Sequence, residues 1–525
     1  MRTSKWLPVG EMIKVHAMHY PGKEAIADKF KRYNFKEWDE RSSRLANALT
    51  DMGVGHGDRF AILAHNSVEW MAIYAAAAKG GQVTVPLMFR LAPPEIEYIV
   101  NHSDCKAFLV AQEFVEVIDP MRDKLSIHPD NYIYMGGEKA PDGYIHYEDL
   151  MENAVPTWPD VVVDGADVWN IMYTSGTTGK AKGVVRTHES NIAEYILNDI
   201  NMGVRPGDKV MLVMPMCHIN SIFYSFSYTY VGASCFVYNM VSFDPEDLLR
   251  TIDREKITFT SLVPTHYIMM LALPDAVKSK YDVSSVRQLL ISSAPARKDT
   301  KLKIMEYFKN AELWEAYGAT EQGLMTLLRP EDQMKKLGSI GKEIFGTDRI
   351  RILDENRREV PDGEVGEIFA RTPIVFKEYW KDPERTREVF EGEWSTAGDM
   401  GRRDEDGYYY LVDRKANMII TGGENVYPSE VENILGPHPA VKDVAVIGVP
   451  DKKWGEAVKA VVILNDAYAP SKDLAGELIQ SCRGKIAGYK LPKSVDFVEE
   501  EQMPRTGTGK ILHRVLRERY GRWSD

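Results

Sequence analysis

The sequence alternates between short apolar runs and longer stretches in which apolar residues recur at helical spacing. Residues 60–63, 83–86 and 107–110 predict short buried strands, and residues 35–49 predict an amphipathic helix. The apolar stretch 70–78 is too short to cross a bilayer and predicts a buried helix. Strand–helix–strand repetition at this pace requires a parallel sheet covered by helices. The alternation therefore predicts an α/β fold.

The same alternation returns in the middle of the chain. It predicts strands over 209–214, 234–238, 259–263, 287–292 and 312–314, with helices over 221–230 and 245–255. Open α/β sheets bind their ligands at the carboxyl ends of strands. We therefore expect the loops that follow these strands to carry the functional residues.

From residue 366 onward the sequence pattern changes from alternating strands and helices to β-hairpins. The run Asp404-Glu405-Asp406-Gly407 is a turn signal, and the apolar run after it predicts a strand over 408–412. A small α+β unit follows, with helices over 429–435 and 474–486 and strands over 441–449 and 458–465. The change in pattern predicts a domain boundary at 413–416.

Composition excludes some classes of protein. Apolar residues make up 44% of the 525 residues, which is typical of a soluble globular chain. A formal net charge of −12 argues against a sequence-independent nucleic-acid binder. The first twenty residues hold no apolar segment of a secretory signal, and the four cysteines show no CxxC spacing. These features predict a cytoplasmic protein with free thiols and no zinc site.

The stretch 173–184 is the strongest candidate for a binding loop. It combines glycines, hydroxyls and two lysines directly after an apolar run. Glycines allow the backbone close to a ligand, while free N–H groups, hydroxyls and ammonium groups bind phosphate oxygens. The spacing does not match a Walker A loop, because Ala181 stands where Ser or Thr is required. We therefore predict a phosphate loop of another type; a flexible linker is the alternative.

Two later stretches carry carboxylates after sharp turns. In Glu315-Ala316-Tyr317-Gly318-Ala319-Thr320-Glu321, Thr320 is able to donate to a phosphate and Glu321 is a hard oxygen ligand suited to Mg²⁺. The alternative is a helix start with Thr and Glu as a cap. In Ser395-Thr396-Ala397-Gly398-Asp399, Asp399 is suited to bind ribose hydroxyls, the alternative being an ordinary Asp turn.

Two further stretches lie in the C-terminal part. One joins Asp413-Arg414-Lys415 to Thr421-Gly422-Gly423-Glu424-Asn425, and the other is Pro504-Arg505-Thr506-Gly507-Thr508-Gly509-Lys510. A Gly-flanked lysine such as Lys510 is usually part of a solvated tail. The order and spacing of all five stretches favour a functional interpretation.

Together the five stretches resemble the adenylate-forming (ANL) superfamily, in particular its AMP-forming acyl-CoA synthetases, from about Tyr33 to His513. The resemblance implies an N-terminal adenylation domain over 1–412, built of α/β sheets and a β-barrel. It further implies a hinge at 413–416 and a mobile C-terminal lid over 417–525. The implied activity is ATP-dependent ligation of a carboxylic acid to coenzyme A through acyl-AMP, with Mg²⁺.

The resemblance also implies roles for individual residues. It assigns catalytic roles to Lys510, His218, Thr320 and Glu321, with Glu321 as the Mg²⁺ ligand. It assigns cofactor binding to a larger set that surrounds ATP and the pantetheine arm: Thr174, Ser175, Gly176, Thr177, Thr178, Gly179, Lys180, Lys182, Ser293, Ala294, Pro295, Glu315, Ala316, Tyr317, Gly318, Thr320, Asp399, Arg414, Lys510, Gly422, Gly423, Trp454 and Tyr489.

The chain departs from the family pattern at three positions. Ala416 occupies the hinge position, where Asp or Lys is common, and Cys217 stands where an aromatic residue usually precedes His218. Ser293 stands where Gly is usual before Ala294. No Asp replaces His218 to meet an amino group, which predicts a simple carboxylic acid.

Candidate pocket residues are mostly uncharged and aromatic: Asn220, Tyr224, Tyr228, His266, Tyr267, Trp314 and Gly318. They favour a cyclic, aromatic or medium-chain acid over a dianionic one. An acyl-AMP ligase that loads a carrier protein, a luciferase-like oxygenase and a non-enzymatic nucleotide-binding protein remain alternatives. The direction of the reaction in the cell and the oligomeric state stay open, with a homodimer among the expectations.

Overall fold

The structure is a computed structural model that describes residues 3–174, 181–239, 241–292, 296–422, 424–506 and 509–520. The chain forms two compact units. The larger unit holds residues 1–350 and 370–395, and the smaller unit holds residues 351–369 and 396–525. The smaller unit starts well before the hinge predicted at 413–416 because strands on both sides of residues 370–395 pair with each other. The hinge itself stays a prediction.

A nine-stranded mixed sheet carries most of the predicted site in the larger unit. Its spatial order is Lys342–Glu343, Gly323–Leu328, Glu312–Ala319, Gln288–Ile291, Phe259–Leu262, Lys209–Leu212, Ser234–Val237, Glu24–Ala27 and Arg32–Asn34. The strands from Glu312–Ala319 to Glu24–Ala27 are parallel. Their carboxyl ends therefore share one edge of the sheet, where the loops of interest follow.

An eight-stranded sheet forms the other layer of the larger unit. Its order is Glu378–Tyr379, Lys182–Thr187, Val168–Thr174, Val83–Pro86, Arg59–Leu63, Cys105–Ala111, Tyr132–Met135 and Ile145–His146. Phe390–Glu391 and Trp394–Ser395 form a separate short hairpin.

Helices of the larger unit cover these sheets. They are Val9–His19, Phe35–Asp51, Glu69–Gly80, Pro93–His102, Val115–Ile118, Tyr147–Glu152, His188–Met202, Ile219–Tyr230, Pro245–Glu255, Pro264–Leu271, Asp275–Lys278, Lys298–Tyr307 and Pro383–Glu388. A capping box between Asn34 and Glu37 starts the second helix, because it satisfies two backbone N–H groups that the first turn leaves unpaired. Helix Glu69–Gly80 is buried almost throughout and packs in the main core with Trp169 and Phe226.

The described residues of the smaller unit form two sheets. Arg351–Leu353, Gly366–Phe369, Asp399–Arg403 and Tyr409–Arg414 form an antiparallel sheet in that order. The predicted β-barrel is wrong for the described residues: the first and last of these four strands do not pair, so the sheet stays open. The second sheet contains Glu424–Val426, Ile419–Thr421, Gly455–Leu464, Val441–Asp451 and Ser494–Phe497, with helices Pro428–Leu435, Lys472–Ser481 and His513–Tyr520.

The α/β fold class and the predicted pattern of strands and helices are confirmed, with shifts of a few residues at most ends. Two differences are larger. The strand predicted over 312–314 continues to Ala319, and the helix predicted over 474–486 ends at Ser481. All four cysteines are buried free thiols. In the part of the chain that the structure describes, no helix is long and apolar enough to span a membrane.

Candidate active site

The predicted phosphate loop connects two antiparallel strands rather than a strand and a helix. Thr174 pairs with Lys182 at the loop end of the hairpin formed by Val168–Thr174 and Lys182–Thr187. The hydroxyl of Thr174 is buried and has no hydrogen-bond partner among the described residues. A phosphate oxygen would satisfy it, so this position fits the predicted ligand. Ser175, Gly176, Thr177, Thr178, Gly179 and Lys180 lie outside the described residues.

Glu321 lies beside the strand that leaves this loop. Its Oε1 atom is 3.1 Å from the ammonium of Lys182 and accepts a hydrogen bond of 2.9 Å from the hydroxyl of Tyr379. Lys182 also donates to that hydroxyl at 2.6 Å. The three side chains form one contact group, which brings a predicted phosphate ligand and the predicted metal ligand together. Tyr379 was not among the predicted residues.

Thr320 is half-buried, and a buried side chain holds its backbone by a hydrogen bond. Its carbonyl oxygen accepts a 3.1 Å hydrogen bond from the guanidinium of Arg186. Arg186 is fully buried and forms a 2.6 Å ion pair with Glu194. Neither residue was predicted to belong to the site. The only sequence signal was a charged residue within the apolar run Val184-Val185-Arg186.

The residues predicted to flank adenine lie on the strand Glu312–Ala319. Glu315 is buried and pairs with the fully buried Lys301 at 2.8 Å. Burial raises the pKa of the Glu315 carboxyl, and the positive charge of Lys301 opposes this shift. Ala316 is half-buried and Tyr317 is buried. Ser293, Ala294 and Pro295 lie outside the described residues.

Gly318 is exposed and lies where its strand closely approaches the backbone of the paired strand Gly323–Leu328. A Cβ atom at this position would lie 2.4 Å from the carbonyl oxygen of Gly323 on the paired strand. Any side chain would have to push the hairpin apart, so glycine is required here for backbone approach.

His218 begins the helix Ile219–Tyr230, where its Nδ1 accepts a 3.3 Å hydrogen bond from the N–H of Asn220. Burial lowers the pKa of His218 to about 4, so the imidazole is neutral at physiological pH. Next to it, the amide of Asn220 donates to Ser261 at 3.0 Å and to Ser292 at 3.4 Å. The thiol of Cys217 is buried and contacts the sulfur of Met88 at 3.7 Å. The result is a mildly polar edge without a charge.

Several candidate pocket residues are packed in the core. The rings of Tyr224 and Tyr228 each lie 5.0 Å from that of Phe259, and Tyr267 donates to the carbonyl of Leu290 at 3.0 Å. His266 stacks on Phe243 at 4.1 Å. Burial lowers the pKa of His266 to about 4, so it too is neutral. Trp314 is buried in the same core as Tyr224.

Within the smaller unit, Asp399 and Arg414 face each other across paired strands. Their side chains form an ion pair of 2.6 Å, and Arg414 also donates to the carbonyl of Ala397 at 3.0 Å. Lys510 is exposed as a residue, yet its surroundings lower its pKa. Desolvation is the largest cause, and Arg414 adds to it while Asp399 and Asp413 oppose it. Lys510 therefore lies within electrostatic reach of the predicted ribose ligands.

The residues predicted for coenzyme A lie elsewhere in the smaller unit. Gly422 has a positive φ of +61°, and a Cβ atom there would lie 2.9 Å from the ring of Trp454. Its N–H donates to the carbonyl of Trp454 at 2.7 Å. Trp454 and Tyr489 keep 43% and 40% of their surface exposed, which makes both accessible to a ligand. Gly423 lies outside the described residues.

The hinge position has an unexpected partner. Ala416 is the central residue of a short 3₁₀ turn, Lys415–Asn417, and its side chain has no polar group. Arg517, on the last helix, donates to the carbonyl oxygens of Ala416 at 2.7 Å and Asn417 at 2.5 Å. Asn417 in turn donates to the carboxylate of Asp413 at 3.1 Å. The side chain of Arg517 thus binds the backbone of the predicted hinge, although it lies about a hundred residues further along the chain.

Comparisons with known proteins identify the family. The model of the AMP-binding enzyme family matches residues 13–380, and that of the AMP-binding enzyme C-terminal domain matches residues 430–510. A long-chain-fatty-acid–CoA ligase of Mycobacterium tuberculosis, FadD13, is 35% identical over 516 residues, which cover 98% of each chain. An indoleacetate–CoA ligase of Aromatoleum aromaticum is 34% identical and covers 98% of each chain.

Solved structures agree. The anthranilate CoA ligase AuaEII in complex with anthranoyl-AMP superimposes with a TM-score of 0.87 at 29% identity, covering 98% of each chain. The chain therefore belongs to the AMP-binding enzyme family, in the acyl-CoA synthetase branch of the adenylate-forming superfamily. It is an AMP-forming acid–CoA ligase that works through an acyl-adenylate, as the sequence predicts.

Proposed function

We propose that this ligase activates a monocarboxylic acid with an uncharged body, cyclic, aromatic or medium-chain. The observation that carries this proposal is the absence of charge along the described pocket candidates: His218 and His266 are neutral, and their neighbours are amides, hydroxyls and aromatic rings. A second carboxylate on the substrate would need a cation to offset its desolvation. The nearby Lys301 is already paired with Glu315.

The chemistry has two steps. A carboxylate oxygen attacks the α-phosphorus of ATP, the bond to the β-phosphate oxygen breaks, and pyrophosphate leaves. The thiol of coenzyme A then attacks the acyl carbon, loses its proton, and releases AMP. The first step concentrates negative charge in a small volume, so preplaced donors and cations lower its barrier.

Residues of the larger unit would bind the phosphates. Thr174, the loop 175–180 and Lys182 would hold the β- and γ-phosphates, and Thr320 would donate to the α-phosphate. The support is the contact of Lys182 with Glu321 and the unpaired hydroxyl of Thr174. Glu315, Ala316, Tyr317 and Gly318, with residues 293–295, would flank the adenine.

Glu321 is the residue that we propose for Mg²⁺. Both described contacts of its carboxylate fall on Oε1, and a single carboxylate together with substrate phosphates is a common Mg²⁺ site. When bound, the ion would supply positive charge to the phosphate oxygens.

Residues of the smaller unit would bind the ribose and act in each half-reaction. Asp399 would accept from the ribose hydroxyls and Arg414 would orient it, as their 2.6 Å pairing allows. Lys510 would stabilise charge on the reacting oxygens in the adenylation step. Gly422, Gly423, Trp454 and Tyr489 would contact coenzyme A in the second step, for which the exposed rings are the support.

A panel of acids tests the substrate proposal. CoA-dependent AMP release would be measured with octanoate, benzoate, phenylacetate, cyclohexanecarboxylate and malonate. We expect turnover with one or more of the first four and none above background with malonate. Turnover with malonate alone would overturn the proposal, and acyl-AMP accumulation without CoA consumption would favour a carrier-protein ligase instead. Cytoplasmic location, a homodimer and the 413–416 hinge stay predictions.

A further inference from the structure

One buried ion pair binds both ends of the turn that carries Thr320 and Glu321. The turn joins the strands Glu312–Ala319 and Gly323–Leu328. At its start, Arg186 donates to the carbonyl of Thr320 at 3.1 Å. At its end, the carboxylate of Glu194 accepts from the N–H of Leu324 at 2.9 Å. Arg186 and Glu194 are themselves paired at 2.6 Å, so one ion pair holds the backbone of the turn at two points.

The pair is costly as a purely structural device. Arg186 is 0% exposed and Glu194 is 2% exposed, so both charges are removed from water. The desolvation of a buried ion pair commonly equals or exceeds its Coulombic gain, and apolar residues of similar volume would often be as stable. Burial also raises the pKa of Glu194, against the opposing charge of Arg186. A role beyond stability would explain why charged residues occupy these positions.

The carboxylate of Glu194 packs tightly against the backbone of the turn, so a movement of the carboxylate would move the turn. Gly323 has a positive φ of +66°, and a Cβ atom there would lie 2.6 Å from Oε1 of Glu194. The glycine thus lets the carboxylate approach the backbone of the turn directly.

Arg186 lies on the strand that follows the phosphate loop, and Glu194 lies on the helix His188–Met202 after it. Arg186 and Lys182 are four residues apart on the strand Lys182–Thr187, so their side chains leave the same face. Lys182 contacts Glu321 and Arg186 contacts Thr320. One strand face therefore meets both residues of the turn.

We propose that Arg186 and Glu194 are positioning residues for acyl-adenylate formation, which set the placement of Thr320 and Glu321 relative to the phosphate loop. This inference rests on the proposed roles of Thr320 and Glu321. A displacement of about 1 Å at a reacting centre costs on the order of a hundredfold in rate. The effect should be larger on the first half-reaction, because Glu321 and the phosphate loop would act there on the departing pyrophosphate. In the thiol attack on acyl-AMP, only the proposed contact of Thr320 with the α-phosphate remains.

Glu194→Gln tests this with little change in shape. The two half-reactions would be measured separately: ATP–pyrophosphate exchange with octanoate or benzoate, whichever the wild type activates faster, and thioester formation from supplied acyl-AMP. We expect exchange to fall roughly tenfold to a hundredfold, mainly in kcat, and thioester formation to change less than about threefold.

The control is an ion pair in the nine-stranded sheet, which contains the two strands that the turn joins. Asp208 is 5% exposed and pairs with Arg287 at 2.7 Å, at the amino ends of the strands Lys209–Leu212 and Gln288–Ile291. Asp208→Asn weakens a pair at the opposite edge from the turn. It should lower thermal stability while both half-reactions keep their ratio.

A double variant guards against simple unfolding. Arg186→Met with Glu194→Gln leaves no unpaired charge, so thermal stability should recover relative to Glu194→Gln while exchange stays low. Recovery of exchange together with stability would overturn the inference, as would equal loss of both half-reactions in Glu194→Gln. Glu321→Gln serves as the reference: normal exchange in that variant would instead overturn the proposed role of the turn itself.

Discussion

The two groups of charged residues proposed to act on ATP differ in burial. In the larger unit, the side chains of Lys182 and Glu321 are 17% and 8% exposed and contact each other directly. In the smaller unit, the side chain of Asp399 is 7% exposed, but its partner Arg414 is 39% exposed and Lys510 is exposed. The charged side chains of the first group are mostly buried, whereas the cations of the second group lie at a surface.

This difference bears on how each group contributes to the reaction. Buried donors whose partners are fixed need little reorganisation when charge develops, which is the condition for strong electrostatic catalysis. An exposed lysine loses more side-chain freedom when it is ordered, but it is free to act in one step and leave in the next. We therefore expect the buried group to determine placement and Lys510 to determine which half-reaction is active.

The largest effect is expected for Lys510→Ala. Removal of a charged donor from the reacting oxygens should cost about 3–4 kcal/mol of the adenylation barrier, or a rate loss of a hundredfold to a thousandfold. Thioester formation from supplied acyl-AMP should persist. Lys472→Ala, an exposed lysine of the same unit, is the control. Equal loss in both half-reactions would refute the assignment.

Glu321→Gln tests the buried group. Loss of the carboxylate charge should reduce pyrophosphate exchange roughly a hundredfold and raise the Mg²⁺ concentration needed for half-maximal rate. Exchange measured across a Mg²⁺ titration checks both effects. An unchanged Mg²⁺ dependence would show that another group binds the ion.

Arg517→Gln should have a smaller effect. Two charge-assisted hydrogen bonds to the carbonyls of Ala416 and Asn417 would be lost. Each bond contributes roughly 1.5–3 kcal/mol to the stability of this segment. We expect only about 0.7–1.4 kcal/mol of this to appear in the barrier to turnover, which corresponds to a threefold to tenfold loss of rate. Separate half-reactions should be less affected, since the proposed hinge matters for passage between them. Arg514→Gln, an exposed residue on the same helix, should leave turnover unchanged.

The smallest effect concerns pH. The folded pKa of His266 is lowered to about 4 from 6.5, so between these values the unfolded chain binds a proton that the folded chain does not. The free energy of unfolding therefore falls as pH drops from about 6.5 to about 4. His266→Phe should remove about 2 kcal/mol of this loss at pH 5, because pH 5 lies 1.5 units below the unfolded pKa of 6.5 and each unit corresponds to about 1.4 kcal/mol. The measurement is a smaller drop in Tm between pH 7 and 5. His128→Phe, an exposed control, should not reduce this drop.

The fold was predictable where apolar periodicity was clear. The helix Phe35–Asp51 and the strand Val83–Pro86 follow from local pattern alone. The hairpin of Val168–Thr174 with Lys182–Thr187 was missed because glycines and hydroxyls between the strands hide the pairing, which is a tertiary property.

The site was predictable where residues act through their own chemistry. Glu321, Asp399 and Lys510 belong to motifs with a distinctive order. Arg186, Tyr379 and Arg517 were missed because their importance comes from the backbone or side chain that they contact. Those contacts join residues that lie 58 to 197 positions apart in sequence. Spacing along the chain carries no record of such contacts.

Hydrogen exchange of the backbone amides tests most directly whether the buried group is preformed and the exposed group is not. The amide of Leu324 donates to Glu194, and that of Lys510 donates to the hydroxyl of Thr506 at an exposed turn. We predict strong protection of Leu324 in the free enzyme, unchanged when ATP and Mg²⁺ are added, and weak protection of Lys510 that rises when they are added. A rise at Leu324 as large as that at Lys510 would contradict the account.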